Sequence, residues 1–295
     1  MDEGGPVLWR TARDAATRVA IGAWGIIASY YDGSYLIEEK AEGPTTEADR
    51  AADLAITERL GMSFPRSQYG YLTEESEDNR ERLDRDRVWI IDPIDGTRDF
   101  INHTDNFAIH IALVERLEDG LFHPVAAVVY LPMLGRLYSA VRGEGAFKQL
   151  VPNPPQPADW DNHRMPLKVS GRSRLAEMRS VVSNANRTSR LLRLIHSMKL
   201  QDFWHVGSLG VKVSSIAEGN AEIYVNLTQG KCKEWDTAAP HLILTEAGGV
   251  MTDLSGAPIT YNNPNVYHQN GLLATNGPAH QVLIDHVQRF LREDR

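Results

Sequence analysis

Val88-Trp89-Ile90-Ile91-Asp92-Pro93-Ile94-Asp95-Gly96-Thr97 joins an uninterrupted apolar run to two carboxylates three positions apart, a glycine and a threonine. The run suits a buried strand. Carboxylates at the end of a buried strand cost several kcal/mol to desolvate unless something neutralises them, so the stretch implies a bound cation. Pro93 fixes a backbone angle between the two acids, and Gly96 permits a sharp turn that presents amide donors. One strand end is therefore expected to hold a metal and to meet an anion.

Two earlier segments bear on that expectation. Tyr69-Gly70-Tyr71-Leu72-Thr73-Glu74-Glu75-Ser76 is a second short strand ending in acid, so Glu74 and Asp92 are candidates for one metal cluster. Glu75, Glu77 and Asp78 read as a solvated acidic loop. Gly43-Pro44-Thr45-Thr46-Glu47-Ala48-Asp49 is a turn leading into an alanine-rich helix that ends near Gly61, with Thr45 or Thr46 as its cap. On local pattern Asp49 is simply an acid in the first turn, where the helix dipole favours negative charge. Before these lies a helix from about Pro6 to Tyr31, ended by Asp32-Gly33.

Beyond the opening stretch, Phe107 to Val114, Pro124 to Tyr130 and Leu137 to Val141 read as strands of a largely antiparallel meander. His103 and His110 lack metal-ligand spacing and read as loop and strand residues. The proline-dense Val151-Pro152-Asn153-Pro154-Pro155-Gln156-Pro157 marks a change of pattern. The expected division is an N-terminal α+β metal-binding half over residues 1–150, a Pro-rich connection over 151–166, and a C-terminal α/β half over 167–295. In the last part, strands are expected at Ser180 to Ser183, Ala221 to Leu227, Val250 to Asp253 and Leu272 to Thr275. Helices are expected at Thr188 to Lys199, Gly207 to Glu218, from Trp235 to a Gly248-Gly249 stop, and from His280 to Arg292. Gly207-Ser208-Leu209-Gly210-Val211-Lys212 places small residues at a helix start with Lys212 one turn in. That pattern suits a second phosphate or ribose hydroxyls, or else a helix packed closely on a sheet through its glycines.

Composition narrows the classes. The chain has 295 residues, 42% hydrophobic and 24% charged, which is enough for a large core and two subdomains. Thirty-nine acidic against 31 basic residues give a net charge of -8, which disfavours a polymeric nucleic acid held by broad electrostatics. An anionic ligand must then be met by metals or by a local basic cluster. The single cysteine, Cys232, excludes an intrachain disulfide and fits a reducing compartment; Lys231 and Lys233 beside it could lower its pKa. Residues 1–5 are acidic where a signal peptide would be basic, and the apolar stretch from Val19 to Tyr31 is shorter than the roughly 20 residues a bilayer requires, so a cytoplasmic protein is expected.

Taken together, Asp92-Pro93-Ile94-Asp95-Gly96-Thr97, Glu74-Glu75-Ser76, Trp235-Asp236-Thr237-Ala238-Ala239-Pro240 and Glu246-Ala247-Gly248-Gly249 resemble the inositol monophosphatase superfamily of metal-dependent, lithium-sensitive phosphatases. The resemblance runs from about Thr45 to Thr275. Within it the chain looks most like the CysQ-type 3'(2'),5'-bisphosphate nucleotidases, on Phe107 to Val114, Gly207-Ser208 with Lys212, Ala217-Glu218-Gly219 and the Trp235 motif. It departs from that branch at Ser183-Asn184-Ala185-Asn186-Arg187, where Arg-Ser-His is common.

The resemblance implies a layered α/β fold, an α-β-α-β-α sandwich of the sugar-phosphatase type. It implies Mg2+, two to three ions per site, on Glu74, Asp92, Asp95, Asp236 and the main-chain carbonyl of Ile94. Hard oxygen donors of this kind suit that ion. The implied catalytic residues are Asp49, Thr97 and Glu74, with Thr97 and Asp49 orienting and deprotonating the attacking water. The implied substrate contacts are Asp95, Gly96, Thr97, Arg98, Gly207, Ser208, Lys212 and Asp236; Asp99 is expected to be structural or solvated. The expected reaction is removal of the 3'-phosphate of adenosine 3',5'-bisphosphate to give AMP, by a monomer or homodimer that needs neither membrane nor polymeric nucleic acid. An inositol or sugar monophosphatase is the nearest alternative, and a non-catalytic cation-binding protein is the alternative from another class.

Overall fold

The computed structural model describes residues 4–40, 43–155, 163–184 and 188–294. Its elements are α1 (Gly4–Tyr31), β1 (Ile37–Lys40), β2 (Gly43–Thr46), α2 (Glu47–Ser63), β3 (Gly70–Thr73), β4 (Arg87–Asp95), α3 (Thr97–Ile101), β5 (Ala108–Arg116), β6 (Phe122–Leu131), β7 (Arg136–Val141), β8 (Ala146–Leu150) and β9 (Met165–Pro166). These are followed by β10 (Arg179–Ser183), α4 (Ser189–Ser197), β11 (Asp202–Val206), α5 (Leu209–Ala217), β12 (Ile223–Asn226), α6 (Glu234–Glu246), β13 (Val250–Thr252), β14 (Leu272–Thr275) and α7 (His280–Glu293). Strands β3 to β9 form a seven-stranded sheet in chain order; the five-stranded sheet has the order β11-β10-β12-β14-β13.

The apolar run in β4 lacks alternation because both faces of its sheet are covered. Trp89 and Ile91 point into a core built with α1 and α2. Val88 and Ile90 point the other way, into a core shared with α5, α6 and the inner face of the smaller sheet. The outer face of that smaller sheet, including Val182, Val225 and Leu273, packs on α4 and α7. The layers therefore run α1/α2, large sheet, α5/α6, small sheet, α4/α7, the five-layer sandwich expected from the resemblance. The middle core joins residues of both sheets, from Leu72 and Val129 to Tyr224 and Ala274. The proline-dense connection opens anchored rather than free: Val151 is buried and the Trp24 Nε1 donates to Asn153 Oδ1 at 3.0 Å. Gln156 and Pro157, and residues 185–187 of the divergent stretch, lie outside the described residues.

The meander is antiparallel as expected, except that β3 runs parallel to β4, pairing Thr73 with Ile91. Parallel neighbours end at the same edge, so Glu74 and Asp92 are delivered side by side. Five strands were not expected from the sequence: β1, β2, β11, and β8 and β9, which extend the meander at its far edge. β1 and β2 form a hairpin whose first strand is exposed throughout, and β11 is a half-buried edge strand; neither carries the apolar pattern of an interior strand.

Helix α5 approaches the large sheet through Gly210. A Cβ there would stand 3.0 Å from both Ala108 Cβ and Val129 Cγ1, and would also strike the His110 ring. The close-packing reading of this glycine holds. Gly210→Ala is expected to lower unfolding free energy by about 1–3 kcal/mol, the usual cost of overpacking; a urea midpoint equal to wild type would show that α5 can lift from the sheet without cost.

Candidate active site

Successive residues of a strand face opposite sides, so Asp92 and Asp95, three apart, would ordinarily be separated by the sheet. A β-bulge prevents this. Asp92 pairs with His110 and Asp95 with Ala108, so β4 spends one more residue than β5 between the two pairs. Pro93 and Ile94 occupy the bulge, where a missing amide donor is tolerated. Both carboxylates consequently lie on the side of the middle core. Asp236 joins them from α6, and carboxylate oxygens of Asp92, Asp95 and Asp236 lie within 4.8 Å of one another.

The other acids are held by their own backbone. Thr46 caps α2, and the Thr46 amide donates to Asp49 Oδ2 at 2.8 Å. The Thr97 hydroxyl donates to Asp49 Oδ1 at 3.2 Å and lies 3.3 Å from the Ile94 carbonyl oxygen. Asp49 therefore caps the helix through one oxygen, as its local pattern suggests, and meets Thr97 through the other. Asp236 repeats the device: the Lys233 amide donates to its Oδ2 at 2.7 Å in the first turn of α6. The Glu74 amide donates to the Ile91 carbonyl at 3.3 Å, which registers β3 against β4, and Lys233 Nζ stands 4.0 Å from the Glu74 carboxylate.

These acids face a cavity of about 280 Å³ whose lining includes Glu74, Asp95, Gly96, Thr97, Arg98 and Asp236. Asp92 is almost wholly buried behind it, and Asp49 likewise. Burial is the first cause of upward pKa shifts throughout the cluster. It raises Glu74 to about 8, with Asp236 adding repulsion, and Asp236 to about 7, with Asp95 adding to it. Asp92 is raised well above the carboxylate range by burial and then by Glu74 and Asp95. Asp49 reaches about 6, burial again outweighing its hydrogen bonds to Thr46. Hard oxygen donors whose ionisation is opposed by burial and mutual repulsion, beyond what the nearby Lys233 offsets, fit a divalent cation.

The second candidate pocket is occupied by protein contacts. The Ser208 hydroxyl donates to Asp95 Oδ2 at 2.5 Å, and the Gly210 amide donates to the same oxygen at 2.9 Å. Lys212 is buried, donates to the carbonyls of Gly207 (3.0 Å) and Ser208 (2.7 Å), and has its pKa lowered to about 8 by desolvation. Gly207, Ser208 and Lys212 thus line the cavity while fixing Asp95 and the start of α5. Lys40, Arg98 and Lys231 are exposed cations of the lining, Lys40 being paired with Glu75. Asp99 accepts the Thr104 hydroxyl at 2.5 Å and also lines the cavity.

Some expectations are corrected. Glu75 is not a solvated acid: its side chain is 4% exposed and pairs with Lys40 at 2.8 Å. Asp78 takes a forked contact from Arg82, while Glu77 is exposed as expected. The pKa of the Cys232 thiol is raised, not lowered: burial, then Asp236, push it up, against a smaller opposing effect of Lys212. His110 is a strand residue of β5, as expected, with a neighbour the expectation lacked: its Nε2 lies 3.3 Å from Asp95 Oδ2 in a fully buried position. Its place opposite Asp92 in the ladder was the missed signal, and it requires the strand register to be known. Among the described residues no helix is long and apolar enough to cross a membrane.

Comparison with known proteins agrees with this geometry. The sequence profile of the "Inositol monophosphatase family" matches residues 9–292. The chain is 31% identical over 269 residues to "3'(2'),5'-bisphosphate nucleotidase CysQ" of Aggregatibacter actinomycetemcomitans, covering 88% of this chain and 93% of that relative. It is 30% identical over 244 residues to "Nus factor SuhB" of Escherichia coli (strain K12), covering 82% and 84%. The crystal structure of CysQ from Bacteroides thetaiotaomicron superposes with a TM-score of 0.72 at 29% identity, covering 88% of this chain and 95% of that one.

The raised carboxylates have a thermodynamic consequence. A group whose folded pKa exceeds its unfolded value contributes stability that is present at low pH and lost as pH rises through the folded pKa; here the loss runs from about pH 4, the unfolded carboxylate value, to about pH 8. A divalent cation held by these acids would reverse that loss by favouring the ionised forms. Mg2+ is expected to raise the melting temperature more at about pH 8 than at about pH 5, with proton release on binding. Equal gains at both values, measured by calorimetry, would contradict the assignment of these acids to a cation.

Proposed function

The chain belongs to the inositol monophosphatase family and is a metal-dependent phosphatase, and from that premise we propose that it hydrolyses the 3'-phosphate of adenosine 3',5'-bisphosphate to give AMP. The observation that carries the catalytic part is the hydrogen bond from the Thr97 hydroxyl to Asp49 beside the carboxylate cluster. A site that only held a cation would not need a hydroxyl paired with a buried acid next to it. The nucleotide is favoured because the relative with 31% identity over nearly the whole chain is named a bisphosphate nucleotidase.

In this proposal Glu74, Asp92, Asp95, Asp236 and the Ile94 carbonyl hold two to three Mg2+ ions. When bound, those ions neutralise the site, acidify a water and stabilise charge on the leaving oxygen. Thr97 orients the attacking water, accepting its proton as the hydroxyl passes its own to Asp49. A carboxyl raised to about 6 is matched to such proton transfer near neutral pH. The water oxygen forms a bond to phosphorus, the ester bond to the 3'-oxygen breaks, and that oxygen takes a proton from solvent water to leave as the ribose hydroxyl, while Asp49 returns its proton to solvent. Gly96 and Thr97 open α3 in the cavity wall, where their amides would receive the phosphate. Gly96 has φ 100°, a conformation that glycine adopts without strain, and a Cβ there would stand 3.1 Å from the Asn106 carbonyl. Arg98 and Lys231, exposed in the lining, would meet the second phosphate, while Ser208 and Lys212 keep Asp95 in place.

Thr97→Ala is expected to fold normally and to lose about 10²–10⁴-fold in kcat on adenosine 3',5'-bisphosphate, the range for loss of positioned proton transfer. Full activity in a folded Thr97→Ala or Asp95→Asn protein would end the proposed mechanism. The substrate is tested by phosphate release from adenosine 3',5'-bisphosphate, its sulfated relative, inositol 1-phosphate and fructose 1,6-bisphosphate at fixed Mg2+. A preference for inositol 1-phosphate above about tenfold, or roughly 1.4 kcal/mol, would transfer the assignment to the sugar-phosphatase reading.

A further inference from the structure

Helix α2 carries a second buried acid that the reaction above does not use. Asp53 lies four residues after Asp49, so the two share one face of the helix. It is 4% exposed. Its Oδ2 accepts the Ser76 hydroxyl at 2.6 Å. Its Oδ1 is buried without a hydrogen-bond partner among the described residues. A carboxylate half-satisfied in this way costs stability relative to an apolar residue, so its presence calls for a purpose other than packing.

The purpose lies in what Thr73 and Ser76 enclose. The Ser76 amide donates to the Thr73 hydroxyl at 3.0 Å, closing a turn over Glu74 and Glu75. On the sheet side that turn is registered by the Glu74 amide to Ile91 contact, and on the other side Lys40 pairs with Glu75. Asp53 supplies the contact to the helix. One face of α2 thus meets Thr97 through Asp49 and, one turn on, the Glu74 turn through Asp53.

We propose that Asp53 is a positioning residue that clamps the Thr73 to Ser76 turn onto α2 and so fixes the Glu74 carboxylate against the metal. It touches neither substrate nor reacting atoms. The inference rests on the reading of Glu74 as a metal ligand, and Glu74→Gln serves as the control for that reading.

The test is Mg2+ binding to the full chain by isothermal titration calorimetry without substrate, together with the half-saturating Mg2+ concentration for phosphate release. Asp53→Ala is expected to weaken Mg2+ binding by about tenfold or more, the effect typical of groups that orient metal ligands. At saturating Mg2+ its kcat should recover most of the wild-type value, a split that general loss of fold would not produce. Asp53→Asn, which keeps an acceptor for Ser76, should rescue binding. Ser76→Ala removes the same hydrogen bond from the other side and decides the matter if Asp53→Ala fails to fold. Mg2+ affinity within about twofold of wild type in Ser76→Ala and in any folded Asp53→Ala overturns the proposal, given that Glu74→Gln weakens binding at least tenfold. Unchanged affinity in Glu74→Gln instead overturns the ligand assignment on which it rests.

Discussion

The gathering of negative charge in a place with little water is the constraint on which the rest of the site depends. Asp92, Asp95 and Asp236 bring oxygens within 4.8 Å of one another, with Glu74 and Asp49 close enough to raise the pKa of Asp92 further. Like charges at such separations repel by several kcal/mol at the effective dielectric of a protein interior, about 20. Hydrogen bonds to Ser208, Gly210 and the Lys233 amide offset part of this, and Lys212 and Lys233 add positive charge nearby. The residual upward shifts show that the offset is incomplete. The fold therefore stores an affinity for cations, and it does so by rigid means: a bulge in β4, a parallel neighbour, and the first turns of two helices.

Those first turns solve a positioning problem economically. Asp49 and Asp236 are each the third residue of their helix, and each uses Oδ2 to accept the amide that precedes the helix. The backbone thereby fixes the carboxylate rotamer, leaving the other oxygen for Thr97 in one case and for the acidic cluster in the other. A helix-capping signal and a site residue are then the same residue, which is why Asp49 reads locally as nothing more than a good helix start.

Much of this was legible before any coordinates. The apolar run ending in Asp92, the acid delivered by a second strand at Glu74, and the late helix opening at Asp236 are local patterns with local causes, and the five layers followed from resemblance. What escaped depends on register or on contacts across the chain. Parallel pairing of β3 with β4 cannot be read from either strand alone. Nor can the one-residue bulge that puts Asp92 and Asp95 on one face. His110 beside Asp95 and Lys40 on Glu75 are likewise products of pairing. Cys232 misled because flanking lysines are visible in sequence while burial is not.

The division of labour within the cavity explains why chemistry is easier to read here than specificity. The groups proposed to hold metal and activate water sit on strand ends and helix starts, where periodicity, caps and glycines leave a pattern. Elsewhere in the lining, Lys40 comes from the β1–β2 hairpin and Lys231 from the connection between β12 and α6, segments that accept changes of length and sequence without disturbing the core. A scaffold of this kind keeps one reaction while exchanging the part of the substrate that does not react. On the proposed reading, the phosphate would be met by the elements that make the fold, and the rest of the substrate by the segments laid over them.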